Sequence, residues 1–200
     1  MNVKISPGNS KMGNIASVSL PAGLTCRPDC ACREKCYAMK LERLRSSVRE
    51  AYRHNYEVLS TDPGTFWREV EASIMASRFF RFHVSGDIVD DSYLEHMIAI
   101  ASRNPHCEIL CFTKRYELVN SLLDSGTVLP RNLHLIFSAW RGLPMENPHR
   151  LPEAHVIYRD GTTTASQDAL ACPGNCTACA ITDCGCWKLR PGEQVVFHEH

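Results

Sequence analysis

Residues 79–92, FFRFHVSGDIVDDS, hold the transition that decides the fold. Phe80, Phe82 and Val84 alternate with Arg81, His83 and Ser85, the two-residue period of a strand with one face in a core. Gly86 and Asp87 close that strand. Asp90, Asp91 or Ser92 then caps a helix that carries Tyr93, Leu94, Met97, Ile98 and Ala101 on one side and stops at Asn104 and Pro105.

The same cadence repeats in both directions. Toward the C-terminus, CEILCFT (107–113) reads as a buried strand and YELVNSLLDSG (116–126) as a helix with Gly126 at its C-cap position. LHLIFSAW (133–140) and HVIYRDG (155–161) read as strands, separated by RGLPMENPHRLPE (141–153), whose three prolines mark a long binding or lid loop. Toward the N-terminus, Asp62 and Pro63 open a helix that ends near Arg78. The apolar series Tyr37, Leu41, Leu44, Val48, Tyr52, Tyr56 and Leu59 predicts one helix over 33–59, and ASVSL (16–20) a short strand.

Strands that alternate with helices predict a parallel sheet, because parallel neighbours need a crossover connection. The expectation is one α/β domain over residues 1–200. Its parallel sheet with alternating helices is curved into a partial (β/α) barrel, with Cys-rich loops at 26–36 and 172–187. Periodicity does not separate that from a flatter open sheet. In either case ligands gather at the carboxyl ends of the strands. Those exits carry His83, Ser85 and Asp87, then Thr113 and Lys114, then Trp140, a set expected to bind a small polar ligand. Gly86 among them would let a ligand approach the backbone.

Cysteine is the other signal. Nine of the 11 fall in two windows: Cys26, Cys30, Cys32 and Cys36, then Cys172, Cys176, Cys179, Cys184 and Cys186. A chain of 200 residues can bury enough surface to fold without covalent staples. No basic segment followed by an apolar one opens the sequence, so the expectation is a reducing cytoplasm, where such windows mean metal or catalysis. Crowded thiolates repel unless a cation neutralises them. Only Cys176 and Cys179 have the Cys-x-x-Cys spacing typical of zinc, and no histidine interrupts either window. Irregular, tightly spaced thiolates suit an iron–sulfur cluster, so all nine are expected metal ligands. Cys107 and Cys111 lie about 13 Å apart along a strand at ~3.3 Å per residue, in an apolar setting, and read as core.

With 22 basic and 22 acidic residues the chain lacks the surplus cations of a nucleic-acid binder. No apolar run reaches the length of a membrane span. The stretch 33–53 does carry a local surplus, seven Lys/Arg against three Glu, which reads as a solvated helix face or as a surface that attracts an anionic partner.

The stretches GNSKMGNIASVSLPAGLTC (8–26), KCYAMK (35–40), FHVSGDIVDDSYL (82–94), FTKRYELV (112–119) and the Cys-rich run ending CGCW (184–187) resemble the bacteriophage gene product 88 family. The resemblance spans nearly the whole chain and implies an iron–sulfur protein in a host bacterial cytoplasm. The run CTACAITDCGCW has a longer spacer than the ending the family implies, and leaves Cys184 and Cys186 as alternatives for the fourth C-terminal ligand. A more distant similarity, through KCYA, Ser85-Gly86-Asp87 and FTKR, is to radical S-adenosylmethionine enzymes. Their Cys-x-x-x-Cys-x-x-Cys loop occurs here only at Cys172, Cys176 and Cys179.

Residues and resemblance together lead to the expectation of one or two four-iron four-sulfur clusters. These would serve electron transfer with a redox partner protein, or cluster-dependent redox chemistry on a small molecule. An S-adenosylmethionine-dependent radical enzyme and a zinc-stabilised interaction protein are the alternatives.

Overall fold

A computed structural model describes residues 2–199. Seven strands form one open, wholly parallel sheet: β1 (Ala16–Val18), β2 (Phe79–Phe82), β3 (Glu108–Thr113), β4 (Leu133–Ser138), β5 (Glu153–Ile157), β6 (Leu170–Ala171) and β7 (Gln194–His198). Their spatial order is β1-β2-β3-β4-β5-β7-β6. The helices are α1 (Tyr37–Leu44), α2 (Ser46–Thr61), α3 (Pro63–Met75), α4 (Asp91–Arg103), α5 (Tyr116–Asp124) and α6 (Cys176–Ile181). The α/β class and the parallel sheet are as the sequence predicts. Among the described residues no helix is long and apolar enough to cross a membrane.

The two faces of the sheet are covered differently. On one, Val18, Phe80, Phe82, Ile109, Cys111, Leu135 and Phe137 pack with Val58, Phe66, Val70, Leu94, Met97 and Val119 of helices α2–α5. Cys107 and Cys111 are buried in this layer, as their apolar setting predicts. On the other face, Leu110, Ile136, Ala154 and Val195 pack with Met12, Ile15, Cys179, Ala180 and Trp187. The inner face is thus filled by the Cys-rich C-terminal segment rather than by a helix layer. Trp187 is fully buried and meets Phe79 edge-on at 5.1 Å, a burial that contributes about 3 kcal/mol.

Local signals set most boundaries. Asp62 accepts a hydrogen bond from Thr65 N–H ahead of Pro63, and Asp90, of the three candidates, caps α4 by accepting from Tyr93 N–H. Gly126, at φ +90°, follows the last turn of α5.

Four expectations are corrected. The helix over 33–59 is three pieces: a 3-10 turn (Ala31–Lys35), α1 and α2, separated by extended Cys36 and Arg45. Glu42 and Asn55 explain the break. The Glu42 carboxylate accepts from Ala22 N–H (2.9 Å) and Ser85 Oγ–H (2.7 Å), while Asn55 Nδ2 donates to the carbonyls of Lys4 and Ser19, both at 3.0 Å. Thirteen residues is about 220° around a continuous helix at ~100° per residue, so both could not face inward without a break. As a result Tyr37, Leu41 and Leu44 are exposed rather than core.

The strand beginning at Phe79 stops at Phe82, because His83 adopts φ +61°. That left-handed residue reverses the alternation, and Val84 packs with Phe79 on the inner face instead of joining Phe80 and Phe82. Similarly β4 ends at Ser138, two residues before Trp140, and β5 runs from Glu153 to Ile157, ahead of the turn at 158–161.

Candidate functional site

The loop after β1 carries the first cysteine window across the carboxyl edge of the sheet. Leu20 N–H donates to the Ser85 carbonyl at 3.1 Å, and Asp87 N–H donates to Thr25 Oγ at 3.2 Å. Between them Gly86 has φ +82°, and a Cβ there would lie 2.6 Å from Thr25 Oγ1 and 2.8 Å from the Leu20 carbonyl. The close approach expected of Gly86 is therefore made by the chain's own Cys-bearing loop, not by open space for a ligand.

The second window starts where β6 ends. Cys172 N–H donates to the Val196 carbonyl at 2.9 Å, extending the ladder, and Asn175 caps α6 by accepting from Ala178 N–H. Cys176 N–H donates to the Lys11 carbonyl at 3.0 Å, and Thr177 Oγ–H to the Met12 carbonyl at 2.6 Å, so the N-terminal loop holds α6 against the inner face.

Both windows open into one cavity of about 640 Å³. Its walls include Cys26, Cys30, Cys32 and Cys36 from the first window and Cys172, Cys176, Cys179 and Cys186 from the second. Cys184 is exposed and not part of that wall; its sulfur lies 3.2 Å from Thr182 Oγ1 and hydrogen-bonds with the Cys179 thiol. All eleven cysteines are free. Among the described residues no three His, Cys, Asp or Glu side chains stand close enough to share one metal ion.

The thiols already act on one another within each window. Cys30 and Cys32 have their sulfurs 3.0 Å apart and share a proton. That hydrogen bond, with Lys114 acting in the same sense, brings Cys30 down to about 6, and it pushes Cys32 up against the pull of Lys114. Burial, then the neighbouring Asp87, Cys36 and Cys30 charges, raise Cys26 to about 11. Burial and the company of Cys172, Cys176 and Cys179 raise Cys186 to about 12, and burial together with Cys184 raises Cys179 to about 11. Cations oppose this, Lys114 at the first window and Arg81 at the second. Main-chain N–H groups also face sulfur: Gly174 N lies 3.4 Å from Cys172 Sγ, and Gly23 N–H faces Cys26.

The six strand-exit residues, His83, Ser85, Asp87, Thr113, Lys114 and Trp140, line the same cavity. Most already have partners. The Asp87 carboxylate accepts from Thr113 Oγ–H (2.6 Å), Lys114 N–H (2.9 Å) and Ile88 N–H (2.8 Å), clamping the β2 exit to the β3 exit. Burial still holds its carboxyl above the ordinary range, against the pull of those donors. Ser85 donates to Glu42, and Lys114 Nζ donates to Ser138 Oγ at 2.9 Å with Trp140 6.0 Å from it. His83 differs. It is buried beside Tyr93, and neither ring nitrogen makes a hydrogen bond of normal geometry. Glu42 and Arg81 belong to this constellation as well and escaped the sequence reading. Arg81 gave a signal, a charge at an inward position of a short apolar strand; Glu42 lay in what read as a solvated helix.

Asp87→Ala leaves three donors without an acceptor and is expected to lower stability by about 3–5 kcal/mol. Urea unfolding measures it. A loss below about 1 kcal/mol would mean the clamp is not what joins the two exits.

Residues 3–153 match the protein family described as Gene product 88, a span that takes in the first cysteine window and the strand exits up to β4. The "Gene 88 protein" of Mycobacterium phage L5 is 32% identical over 182 residues, 84% of this chain and 72% of that relative. The "Gene 88 protein" of Mycobacterium phage D29 is 34% identical over 182 residues, with 84% and 71% covered. No solved structure matches the chain at a significant level. On the family match and the extent of these two similarities, the chain belongs to the Gene product 88 family.

Proposed function

We propose that this protein is an iron–sulfur protein with two four-thiol sites facing one cavity, working in electron transfer or in redox chemistry on a small molecule held between them. The observation that carries the reading is the convergence of eight cysteines, from segments 136 residues apart (Cys36 to Cys172), on a single cavity. The donor chemistry suits the group, since every candidate ligand is a thiol and main-chain N–H groups face two of the sulfurs, but no three of them stand close enough in the chain alone to share one ion, so each window would have to close around it. Burial and mutual repulsion keep most of these thiols protonated in the chain alone, a cost that a cationic metal core removes by displacing the protons. Cys26, Cys30, Cys32 and Cys36 would hold one group, and Cys172, Cys176, Cys179 and Cys186 the other. Bound clusters would supply one-electron chemistry. Lys114 and Arg81 would offset their negative charge, with Trp187 and the inner apolar layer excluding water beneath the second site.

Anaerobic purification followed by iron, inorganic sulfide and zinc analysis tests this. The expected result is brown protein with iron and sulfide in equal amounts, roughly eight of each per chain, and visible absorption that bleaches on reduction. Colourless protein with stoichiometric zinc would overturn it in favour of a structural zinc module.

A second reading, S-adenosylmethionine-dependent radical chemistry, is favoured by the size and lining of the cavity. About 640 Å³ suits a small polar ligand, and Ser85, Asp87, Thr113, Lys114, Trp140 and His83 line it along with both thiol sets. Calorimetry with S-adenosylmethionine on cluster-loaded protein, together with assay of methionine release under reduction, decides it. Absence of both removes the reading.

A further inference from the structure

The second window holds one more cysteine than its thiol site uses. Cys184 is exposed and outside the cavity wall, yet the chain folds it back onto Cys179, which is buried and lines the cavity. The turn that does this is fixed at several points. Thr182 N–H donates to the Ala178 carbonyl and Cys184 N–H to the Cys179 carbonyl, both at 2.9 Å, as α6 ends. Asp183 between them takes φ +54°, and its carboxylate accepts from Lys188 Nζ at 2.9 Å. Gly185 follows at φ +61°, where a Cβ would stand 3.1 Å from Cys179 Sγ, so bare backbone lies against that sulfur. The loop wraps Cys179, with Cys184 on the solvent side and Cys186 on the cavity side.

Hydrogen bonding orders the two thiols. Thr182 Oγ–H donates to the Ala178 carbonyl at 2.8 Å, which commits its one hydrogen, so in the 3.2 Å contact with Thr182 Oγ1 the Cys184 thiol is the donor. The lone pairs of the Cys184 sulfur are left for the Cys179 thiol, with which it hydrogen-bonds. An accessible thiol touching a sheltered one is the arrangement in which an oxidised cysteine is resolved by its neighbour.

We propose that Cys184 is an oxidation site, that hydrogen peroxide converts it with Cys179 into a disulfide, and that this disulfide closes the second thiol site to metal. The first two clauses stand on the geometry of the turn; only the third rests on the reading of the second window as a metal site. The chemistry runs in two steps. The Cys184 sulfur attacks one peroxide oxygen, the O–O bond breaks, and a sulfenic acid forms with release of one water. The Cys179 sulfur then attacks the Cys184 sulfur, the S–O bond breaks, and the hydroxyl leaves with the thiol proton as a second water. Two thiols lose two electrons and one peroxide gains them; a dithiol reductant reverses the bond. The turn already holds the two residues together, so no other element has to move. Cys172, Cys176 and Cys186 would remain, one thiol short of the site.

The probe is hydrogen peroxide in small molar excess on the full chain, reduced and freed of metal, with catalase added afterwards. Non-reducing peptide mapping by mass spectrometry is expected to find Cys179 joined to Cys184, with two hydrogens lost, and the bond to disappear with dithiothreitol. In Cys179→Ser the sulfenic acid should persist at Cys184 and be captured by dimedone at least fivefold more than in the unaltered chain. Cobalt(II), added without thiol or sulfide, reads the site through the strong absorption of a metal held by four thiolates. In Cys36→Ala, which confines that signal to the second window, peroxide should lower it at least fivefold, and in Cys36→Ala with Cys184→Ser it should survive. An unreacted Cys184, or its pairing with Cys186, would overturn the proposal. A disulfide that forms first between Cys30 and Cys32, whose sulfurs lie 3.0 Å apart, would overturn it in favour of the first window. Full cobalt binding by the oxidised Cys36→Ala protein would overturn closure of the site. Absence of cobalt binding before any peroxide would overturn the third clause and leave the disulfide standing on its map, whereas cobalt binding by a protein that purifies without iron would count against the iron–sulfur reading alone.

Discussion

Cys186→Ala is expected to remove roughly half of the iron and sulfide from anaerobically prepared protein, and Cys184→Ala to leave both unchanged. The two residues are neighbours but for Gly185, and the fold separates them. Cys186 lies in the wall of the cavity with Cys172, Cys176 and Cys179, whereas Cys184 is exposed and outside that wall, its sulfur engaged by Thr182 and Cys179. A cluster deprived of one thiolate ligand loses metal or falls to a three-iron form. Cys36→Ala should remove the other half, and the double variant Cys36→Ala with Cys186→Ala nearly all. Elemental analysis reads each outcome, with far-ultraviolet circular dichroism to confirm that the variants remain folded. Iron loss in Cys184→Ala with full iron in Cys186→Ala would reverse the ligand assignment.

The second large effect concerns acid. His83 is buried in full, and desolvation holds its imidazole down at about 3, against an ordinary value of 6.5. Below about pH 6.5 the unfolded chain takes up a proton at this histidine that the native protein refuses, so stability falls as the pH falls. The slope is about 1.4 kcal/mol per pH unit, continuing until roughly pH 3, for a total on the order of 4–5 kcal/mol. Above neutrality the group contributes no pH dependence. Asp87 works in the opposite sense over part of this range, because its raised value lets the native protein keep a proton that the unfolded chain has lost. Stability from Asp87 is therefore greatest below 3.8 and declines as the pH rises through its native value. Comparing the protein with His83→Asn isolates the histidine, since asparagine tolerates the φ of +61° and carries no titrating ring. Urea unfolding near pH 7, 5.5 and 4.5 should show the protein losing stability relative to His83→Asn, steeply toward acid. Parallel pH profiles would mean that the ring is hydrated or hydrogen-bonded in solution.

His83 also ties stability to the site. A left-handed, buried residue whose ring nitrogens are unsatisfied is costly, and such features persist where the surroundings over-determine them. Here they occur at a strand exit that turns Val84 inward and brings Ser85 and Gly86 against the loop of the first cysteine window.

Several features of this protein are determined locally and were legible in the residues alone. Hydrophobic alternation in 79–82 and 108–113, caps such as Asp62 and Asp90, and the glycine at 126 each act within a few residues, so class, strand direction and most helix starts follow from them. The count and crowding of cysteines in two windows likewise define a thiol-rich chemistry before any folding. Tertiary structure alone decided three matters. The helix over 33–59 breaks because Glu42 and Asn55 must both turn inward toward partners far away in sequence, Ala22, Ser85, Lys4 and Ser19, and no local propensity encodes that demand. Cys184 and Cys186 are nearly equivalent as sequence and differ only because Trp187 anchors their turn in the inner face, pointing one sulfur into the cavity and leaving the other outside. The two windows line one cavity because β6 and β7 join the sheet beside β5 and fold the C-terminal segment over the inner face. That is a long-range closure driven by burial of apolar surface, and burial depends on which surfaces meet, not on what stands next in the chain.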